Sequence, residues 1–292
     1  MLATVLVALA AAVAFGWSTA AMHHSAARAP GHVGGPLSLV RHLVVQRRWL
    51  GGMAASLLGL GLHTLALRSG SLAVVQPLVV TGLVFTFVFR AVLERELPPR
   101  RVVGWAAMTA LGLSVFLVAA GSTTGTTSPQ GPAPFYVLGI GAVAASVCWR
   151  WSYRTGRSST GLLLGIAGGV VFGLIGGTLK ATAGSDGVVD ALSSWPLYVL
   201  GVLGVAGFLT NQTAYRRAPL TSSVPVLNVV NPLVALLYGA LAFHERPAHG
   251  AAALSAEAIG LLTVLAGVFF LARQGERAAE TTEADAPLTP AL

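Results

Sequence analysis

The chain of 292 residues contains 54% hydrophobic and only 10% charged residues, and its mean hydropathy is +0.75. So apolar a composition excludes one or two soluble domains and predicts a protein that crosses a membrane several times. The formal net charge is +8, but the basic residues are spread over several loops. Because they are not gathered on one helix with interleaved aromatic residues, they indicate contact with anionic lipid headgroups rather than with nucleic acid.

Apolar runs of about 20 residues, the length that crosses a bilayer, recur nine times along the chain. The first run lacks the basic residues that open a signal peptide, so we interpret it as a span. No connection between runs is long enough to form a soluble catalytic domain. The sequence therefore predicts an all-α bundle of transmembrane helices near residues 2–22, 49–67, 71–90, 102–121, 133–150, 159–179, 195–213, 220–242 and 253–272.

Residues 36–47 lie between the first two predicted spans and are apolar over only about ten residues. They include Arg41 and His42, and burying such side chains in lipid costs several kcal/mol. We expect either an amphipathic stretch on the membrane surface or a short tenth span.

The basic residues also predict an orientation. With nine spans, 15 of the 18 basic residues fall on one face, and the other face keeps only Arg68, Lys180 and Arg246. The face richer in arginine is normally cytoplasmic. We expect a multi-pass plasma-membrane protein with its C-terminus in the cytoplasm and its N-terminus outside.

An internal repeat connects two parts of the chain. Ala66-Leu67-Arg68, Leu72 and Pro77 recur 148 residues later as Ala214-Tyr215-Arg216, Leu220 and Pro225, and Glu96-Leu97-Pro98 corresponds to Glu245-Arg246-Pro247. Five helix positions separate the copies, so they enter the membrane from opposite faces. Inverted repeats of this kind are typical of secondary transporters, which bind substrate near the midplane between the halves.

The repeat divides the chain into four regions. They are a first transmembrane half at 1–121, a turn-rich extracellular linker at 122–132, a second transmembrane half with one extra helix at 133–272, and a disordered cytoplasmic tail at 273–292.

The polar residues within the predicted spans are mostly uncharged and concentrate on the two repeated helices. Prolines there free backbone carbonyls that a neighbour, water or a ligand must satisfy. Asn and Gln can equally bond across helices as packing contacts. We predict a substrate cavity lined by Gln76, Thr81, Asn211, Ser222, Ser223, Asn228 and Asn231, with helix breaks at Pro77, Pro225 and Pro232. Trp17, Ser18 and Thr19 are further candidates for this cavity.

Few residues near the membrane could carry a proton. His63 lies within a span and is a candidate proton carrier, with hydrogen-bonded packing as the alternative. Glu245 is expected either to pair with a helix-end arginine or to form a gating ion pair. Lys180 is expected to extend to the outer headgroups, with attraction of anions at the cavity mouth as the alternative. Proton or cation coupling is left open.

A stripe of glycines marks one face of the sixth predicted helix. Small residues at four-residue spacing allow another helix to approach closely. The stripe consists of Gly161, Gly165, Gly169, Gly173 and Gly177, and we predict that it is a packing surface.

Several of these features together resemble a known family. Glu96-Leu97-Pro98 is followed by Trp105 and Gly112, and Asn231-Pro232 and Glu245-Arg246-Pro247 are followed by Gly260 and Gly267. With the order of apolar runs, they resemble the EamA-like branch of the drug/metabolite transporter superfamily. That resemblance implies a transporter of a small organic molecule. The long first loop, Trp49-Leu50-Gly51-Gly52 and the count of nine spans also resemble NIPA-type magnesium transporters.

The sequence offers little for other functions. It contains no Walker loop, no His-Glu-x-x-His motif and no assembled catalytic triad, so we expect neither an enzyme nor a cofactor. His23, His24 and His32 are expected in one loop without the partners of a metal site. Cys148 is alone and forms no intrachain disulfide. A Mg²⁺ transporter and a membrane subunit that handles a lipid-linked group stay as alternatives, and a homodimer is left open.

Overall fold

The computed structural model describes residues 2–31, 35–69, 75, 78–97, 99–120, 126, 129, 131–183, 188–245 and 250–284. Within these ranges every regular element is helical. Eight helices are long and apolar enough to cross a bilayer. The chain is therefore a multi-pass helical membrane protein. Its α-helices are α1 (Leu2–Ala27), α2 (Pro36–Leu43), α3 (Arg47–Ser69), α4 (Gly82–Glu94), α5 (Arg100–Ala119), α6 (Ala133–Trp151), α7 (Arg157–Ala183), α8 (Val188–Ser193), α9 (Trp195–Arg217), α10 (Leu220–Ala242) and α11 (Ala251–Ala284).

The eight candidate spans coincide with eight of the nine predicted runs. The remaining run, 71–90, overlaps α4, but residues 71–74, 76 and 77 lie outside the described part of the chain. Helix α2 has eight residues and extends roughly 12 Å, too short to cross about 30 Å of hydrocarbon. Its Leu39 and Leu43 are buried while Leu37 and Arg41 are exposed, which favours a position on the membrane surface over a tenth span.

The last helix differs from the prediction. We expected the final span to end at residue 272 and a disordered tail to follow. Instead α11 continues without a break to Ala284, and of the expected tail only residues 285–292 lie outside the described part. The charged and alanine-rich residues after Arg273 are compatible with a helix, because alanine, glutamate and arginine are strong helix formers.

Helix α1 is the centre of the first half and packs against both α3 and α4. Each contact is made where one helix has a small residue. A Cβ at Gly59 of α3 would lie 2.9 Å from the Phe15 ring of α1, and one at Gly82 of α4 would lie 3.0 Å from the carbonyl oxygen of Ala12. At the other α1–α4 contact, a Cβ at Gly16 would lie 2.6 Å from Cβ of Phe85.

Helix α7 has the same position in the second half and packs against α9 and α10. Gly207 of α9, which is 148 residues after Gly59, lies beside Phe172 and its neighbours on α7. A Cβ at Gly169 of α7 would lie 2.6 Å from Cβ of Val230, and one at Gly173 would lie 2.5 Å from Cβ of Val234. Close approaches at glycines are therefore found both around α1 and around α7.

Helices α5 and α11 join the two halves and run antiparallel. Trp105 stacks on Phe270 with ring centroids 4.2 Å apart, and Thr109 lies beside Gly267 one turn further along. At the next crossing a Cβ at Gly112 would lie 2.9 Å from the carbonyl oxygen of Gly260. Small residues thus allow the two backbones to approach closely over several turns.

Helices α4 and α10 are followed by the same backbone turn. Arg95 after α4 has φ 59° and His244 after α10 has φ 53°, and among the described residues no other non-glycine residue has a positive φ. Each residue immediately precedes the glutamate of a repeated Glu-x-Pro segment. A residue in the left-handed conformation at a helix end turns the following N–H groups towards carbonyls that would otherwise be unpaired. Accordingly, the Glu96 N–H donates to the Ala91 carbonyl at 2.9 Å.

Candidate functional site

A buried polar contact lies where α1, α3 and α9 meet. Nε1–H of Trp49, near the start of α3, donates to Oε1 of Gln212, near the end of α9, over 3.0 Å. Gln212 is only 1% exposed, and its amide nitrogen lies 3.6 Å from Sδ of Met22 on α1. Because the start of α3 meets the end of α9, these two helices run in opposite directions.

A second polar group lies beside it on α1 and α9. Asn211 donates to the hydroxyl of Tyr215 at 3.0 Å, and Thr19 of α1 also hydrogen-bonds to Tyr215. The His23 ring packs edge-on against the Tyr215 ring, with centroids 6.1 Å apart, and its Nε2 lies 3.4 Å from the Ala218 carbonyl. His23 is 7% exposed, and its Nδ1 has no hydrogen-bond partner among the described residues. We call Thr19, His23, Trp49, Asn211, Gln212 and Tyr215 the interhelical polar cluster.

The structure corrects the expected position of the first two histidines. His23 and His24 belong to the last turns of α1 and are buried, whereas a loop was expected, and His32 lies outside the described part. His24 is in contact with Arg28 through Nδ1, at 2.5 Å, and with Arg48 through Nε2, at 2.6 Å. A neutral imidazole has one acceptor nitrogen, so only one guanidinium can donate a hydrogen bond to this ring at a time.

Of the predicted cavity residues on α10, the two serines lie in the contact with α7. Ser222 and Ser223 are each 2% exposed and donate to the Pro219 carbonyl at 3.0 and 3.3 Å. Ser222 lies against Gly161, and the carbonyl of Ser223 is 2.7 Å from the position of a Cβ on Gly165. These serines therefore pack at the contact between α10 and α7.

The two asparagines of α10 are only partly buried. Asn228 donates to the Val224 carbonyl at 2.9 Å, and Asn231 lies one turn further along the helix. Pro225 and Pro232 are both inside α10, and each lacks the N–H that would bond to the carbonyl four residues earlier, which belongs to Thr221 and Asn228 respectively. The Thr221 hydroxyl is buried without a partner in the described part of the chain.

The predicted residues on the first copy are only partly described. Thr81 precedes α4 and donates to the Leu78 carbonyl at 2.5 Å. Gln76 and Pro77 lie outside the described residues. His63 on α3 is half-buried, its ring is edge-on to Phe15 with centroids 6.3 Å apart, and its Nε2 has no partner in the described ranges. His63 is not among the residues that contact the interhelical polar cluster.

Glu245 forms an ion pair with Lys180 at the opposite end of the bundle. An ion pair was one of the two expected roles of Glu245, and its partner is Lys180, which was expected to extend to the outer headgroups. Arg246 lies outside the described residues. The Glu245 side chain is 19% exposed, and the Lys180 ammonium lies 4.4 Å from the centre of the Phe243 ring. Thr126, in the linker, donates its backbone N–H to the Phe243 carbonyl at 2.9 Å. The end of α7, the turn after α10 and the linker are thus connected.

All five glycines of the predicted stripe face α10. A Cβ added to any of them would lie within 3.0 Å of an α10 atom, and at Gly165 and Gly173 the neighbours include backbone carbonyl oxygens. These two neighbours cannot move aside as a flexible side chain could. The contact therefore depends on glycine itself rather than on small residues in general.

A surface cleft of about 270 Å³ opens at the end of the bundle that carries the interhelical polar cluster. It lies between the start of α2, the short turn of 3₁₀ helix at Ser152–Arg154 and the last turn of α9. No lining residue is acidic. The cleft is lined by Gly35, Pro36, Leu39, Tyr153, Thr213, Arg216 and Arg217.

Comparison with known proteins identifies one relative of similar length. The chain is 27% identical over 248 residues to an uncharacterized protein of Corynebacterium glutamicum, and the match covers 84% of this chain and 86% of the relative. No protein-family model matches the chain, and no solved structure matches it. Among the described residues, no three His, Cys, Asp or Glu side chains are grouped closely enough to hold a metal ion.

Proposed function

We propose that this protein is a secondary transporter of a small polar organic molecule, built from two inverted repeats that surround the interhelical polar cluster. The observation that carries the proposal is the recurrence of the same helix contacts in both halves. Phe15 lies against Gly59 in the first half, and in the second Phe172 is one of three α7 side chains, with Val171 and Ile175, that lie against Gly207. Gly16 likewise meets Phe85 as Gly173 meets Val234. This recurrence extends the repeat to α1 and α7, where Val13-Ala14-Phe15-Gly16 and Val170-Val171-Phe172-Gly173 share three of four residues.

The directions of the corresponding helices support the inversion. Helix α3 corresponds to α9, and the Trp49–Gln212 hydrogen bond brings the start of one to the end of the other. Helices α5 and α11 run antiparallel through Trp105 and Phe270. Two halves related in this way can exchange access between the membrane faces when one half rocks against the other.

The chemistry of the cluster supports an organic substrate with hydrogen-bonding groups. Its indole, phenol, amides and hydroxyl are donors and acceptors without a fixed charge. Outside the cluster, α10 carries two further amides on the partly exposed Asn228 and Asn231. The resemblance to the EamA-like branch of the drug/metabolite transporter superfamily points to the same class of substrate. Hydrated Mg²⁺, the alternative, usually requires carboxylate oxygens.

The Lys180–Glu245 ion pair lies at the other end of the bundle and connects α7 with the turn after α10, two elements of the same half. It would therefore hold that half together while it moves relative to α1 and α3. We propose that this end is extracellular, as the arginine distribution predicts, and that the protein resides in the plasma membrane.

Transport is tested first by a substrate screen on a deletion strain and then by flux into proteoliposomes. We expect saturable flux of an organic solute, reduced at least about tenfold by Asn228→Ala or Asn231→Ala if each amide contributes one substrate hydrogen bond of about 1.4 kcal/mol. Ser255→Ala is the matched control, because this hydroxyl is exposed and bonds only within α11. Flux of Mg²⁺ without flux of any organic solute would contradict this proposal and support the alternative, a Mg²⁺ transporter.

Orientation is tested separately by cysteine labelling. In a Cys148→Ala background, a Thr126→Cys variant should react with a membrane-impermeant maleimide on intact cells. Thr126 is partly exposed and lies beside the Lys180–Glu245 end through its bond to Phe243. Labelling only after permeabilisation would show that the protein has the opposite orientation in the membrane. The proposed inverted repeat would not be affected by that result.

A further inference from the structure

The cleft between α2, the Ser152–Arg154 turn and α9 has the properties of an anion site. Its volume of about 270 Å³ corresponds to roughly nine water molecules at about 30 Å³ each, enough for a phosphate group with a short substituent. It contains two consecutive arginines, Arg216 and Arg217, and no acidic side chain. Since α9 ends at Arg217, the cleft lies at the depth of the lipid headgroups whichever way the protein is oriented.

The Arg217 guanidinium is held in place by neutral groups. Nη1 donates to the Ser152 hydroxyl at 3.3 Å and Nη2 donates to the Ser152 carbonyl at 3.1 Å. The guanidinium carbon lies 4.0 Å from the centre of the Tyr153 ring. Two of its five N–H groups are used in this way, which leaves three for another acceptor.

The charge of Arg217 is not balanced within the described ranges. The ion pairs there are Arg90–Glu94 and Lys180–Glu245, and neither involves this residue. A guanidinium that is positioned by neutral acceptors, stacked on an aromatic ring and adjacent to a second arginine matches the geometry of oxyanion recognition. Arg216 contributes to the same cleft and also donates to the Pro30 carbonyl at 3.2 Å.

We infer that this cleft binds a phosphate-bearing anion through Arg217 and Arg216. The ligand is recognised by its phosphate oxygens, which either an anionic lipid headgroup or a soluble phosphate can supply. The apolar wall formed by Pro36 and Leu39 leaves room beside the phosphate for the carbon atoms of either ligand. The site is separate from the interhelical polar cluster, and binding does not require that the protein transports anything.

The experiment uses the purified full chain and two kinds of probe. Native mass spectrometry compares retention of phosphatidylglycerol with that of phosphatidylcholine, and isothermal titration with inorganic phosphate and glycerol 3-phosphate measures the soluble form. We expect Arg217→Gln to weaken binding of the effective probe about tenfold, the loss of about one charged hydrogen bond. Arg217→Lys should restore part of the affinity, because it keeps the charge but not the planar fork.

Arg47→Gln is the matched control, because it removes an exposed arginine from the first turn of α3 without changing the cleft. Binding of phosphatidylglycerol alone identifies a headgroup site, and binding of inorganic phosphate identifies a soluble ligand. The inference is overturned if neither probe binds, or if Arg217→Gln and Arg47→Gln reduce binding equally. Circular dichroism in the far ultraviolet and thermal unfolding without probe verify folding, and Arg216→Gln replaces Arg217→Gln if that variant does not fold.

Discussion

From the contact between α7 and α10 we predict that two glycines of α7, Gly173 and Gly176, differ in how their replacement by alanine changes stability. A Cβ at Gly173 would lie 2.5 Å from Cβ of Val234 and 2.7 Å from the Asn231 carbonyl oxygen. A Cβ at Gly176, three residues further along, would meet only Cβ of Ala235 at 3.7 Å, an ordinary contact. The substitution is chemically identical at both positions, so Gly173→Ala and Gly176→Ala differ only in what the new methyl group meets.

The expected difference in stability follows from these distances. Replacing a helical glycine with alanine improves helix propensity by about 1 kcal/mol at either site, so this contribution cancels in the comparison. At Gly173 the two helices would have to separate by about 1 Å, and overpacking of this kind costs about 1–3 kcal/mol. We therefore expect Gly173→Ala to be about 1–3 kcal/mol less stable than Gly176→Ala.

Thermal unfolding in detergent, followed by intrinsic tryptophan fluorescence, measures this difference. For a chain of this size it corresponds to a melting temperature about 2–6 °C lower for Gly173→Ala, with Gly176→Ala at or above the wild-type value. Equal melting temperatures for the two variants, or a higher one for Gly173→Ala, would show that α7 and α10 are not packed as closely as described.

Three further predictions concern other contacts. Gln212→Leu should destabilise the fold by about 1–3 kcal/mol because it leaves the Trp49 N–H buried and unpaired, and adding Trp49→Phe should recover part of the loss in thermal unfolding. Lys180→Met and Glu245→Gln should show a coupling free energy of about 1 kcal/mol in a double-mutant cycle, smaller in high salt because the lysine is 39% exposed; additive effects would argue against the ion pair. His244→Gly should raise stability by up to about 1 kcal/mol, since φ is 53° there, whereas His244→Val should lower it, and the reverse order of melting temperatures would exclude the left-handed turn.

The spans could be predicted because a membrane helix must satisfy its own backbone and present apolar side chains over about 20 residues. This requirement is local and is therefore visible in the sequence. Eight predicted runs coincide with long apolar helices, and the short helix α2 (Pro36–Leu43) lies within the stretch 36–47. Predicted boundaries were least accurate where a helix continues beyond the hydrocarbon, as α11 does to Ala284, because nothing in the bilayer requirement stops it.

The candidate site was predicted less well. Asn211 and Thr19 were expected to face a cavity and do lie in the interhelical polar cluster, but neither Tyr215 nor His23 was predicted to belong to it. A sequence signal existed, since Tyr215 lies within the repeated Ala-x-Arg segment where the first copy has Leu67. A polar residue in place of an apolar one within a repeat indicates that the two copies have different neighbours.

The sequence by itself determined that this is a membrane protein with about nine apolar segments, and it contains the repeat from which opposed halves are predicted. These properties depend on hydrophobic length and on local spacing. Only the tertiary structure decided which polar groups meet. Ser222 packs against α7, Glu245 finds Lys180, and Trp49 bonds to Gln212 across 163 positions of chain. Such pairs form because a buried polar group must find whichever partner the helix packing brings within reach, and that partner cannot be identified from either residue's own segment.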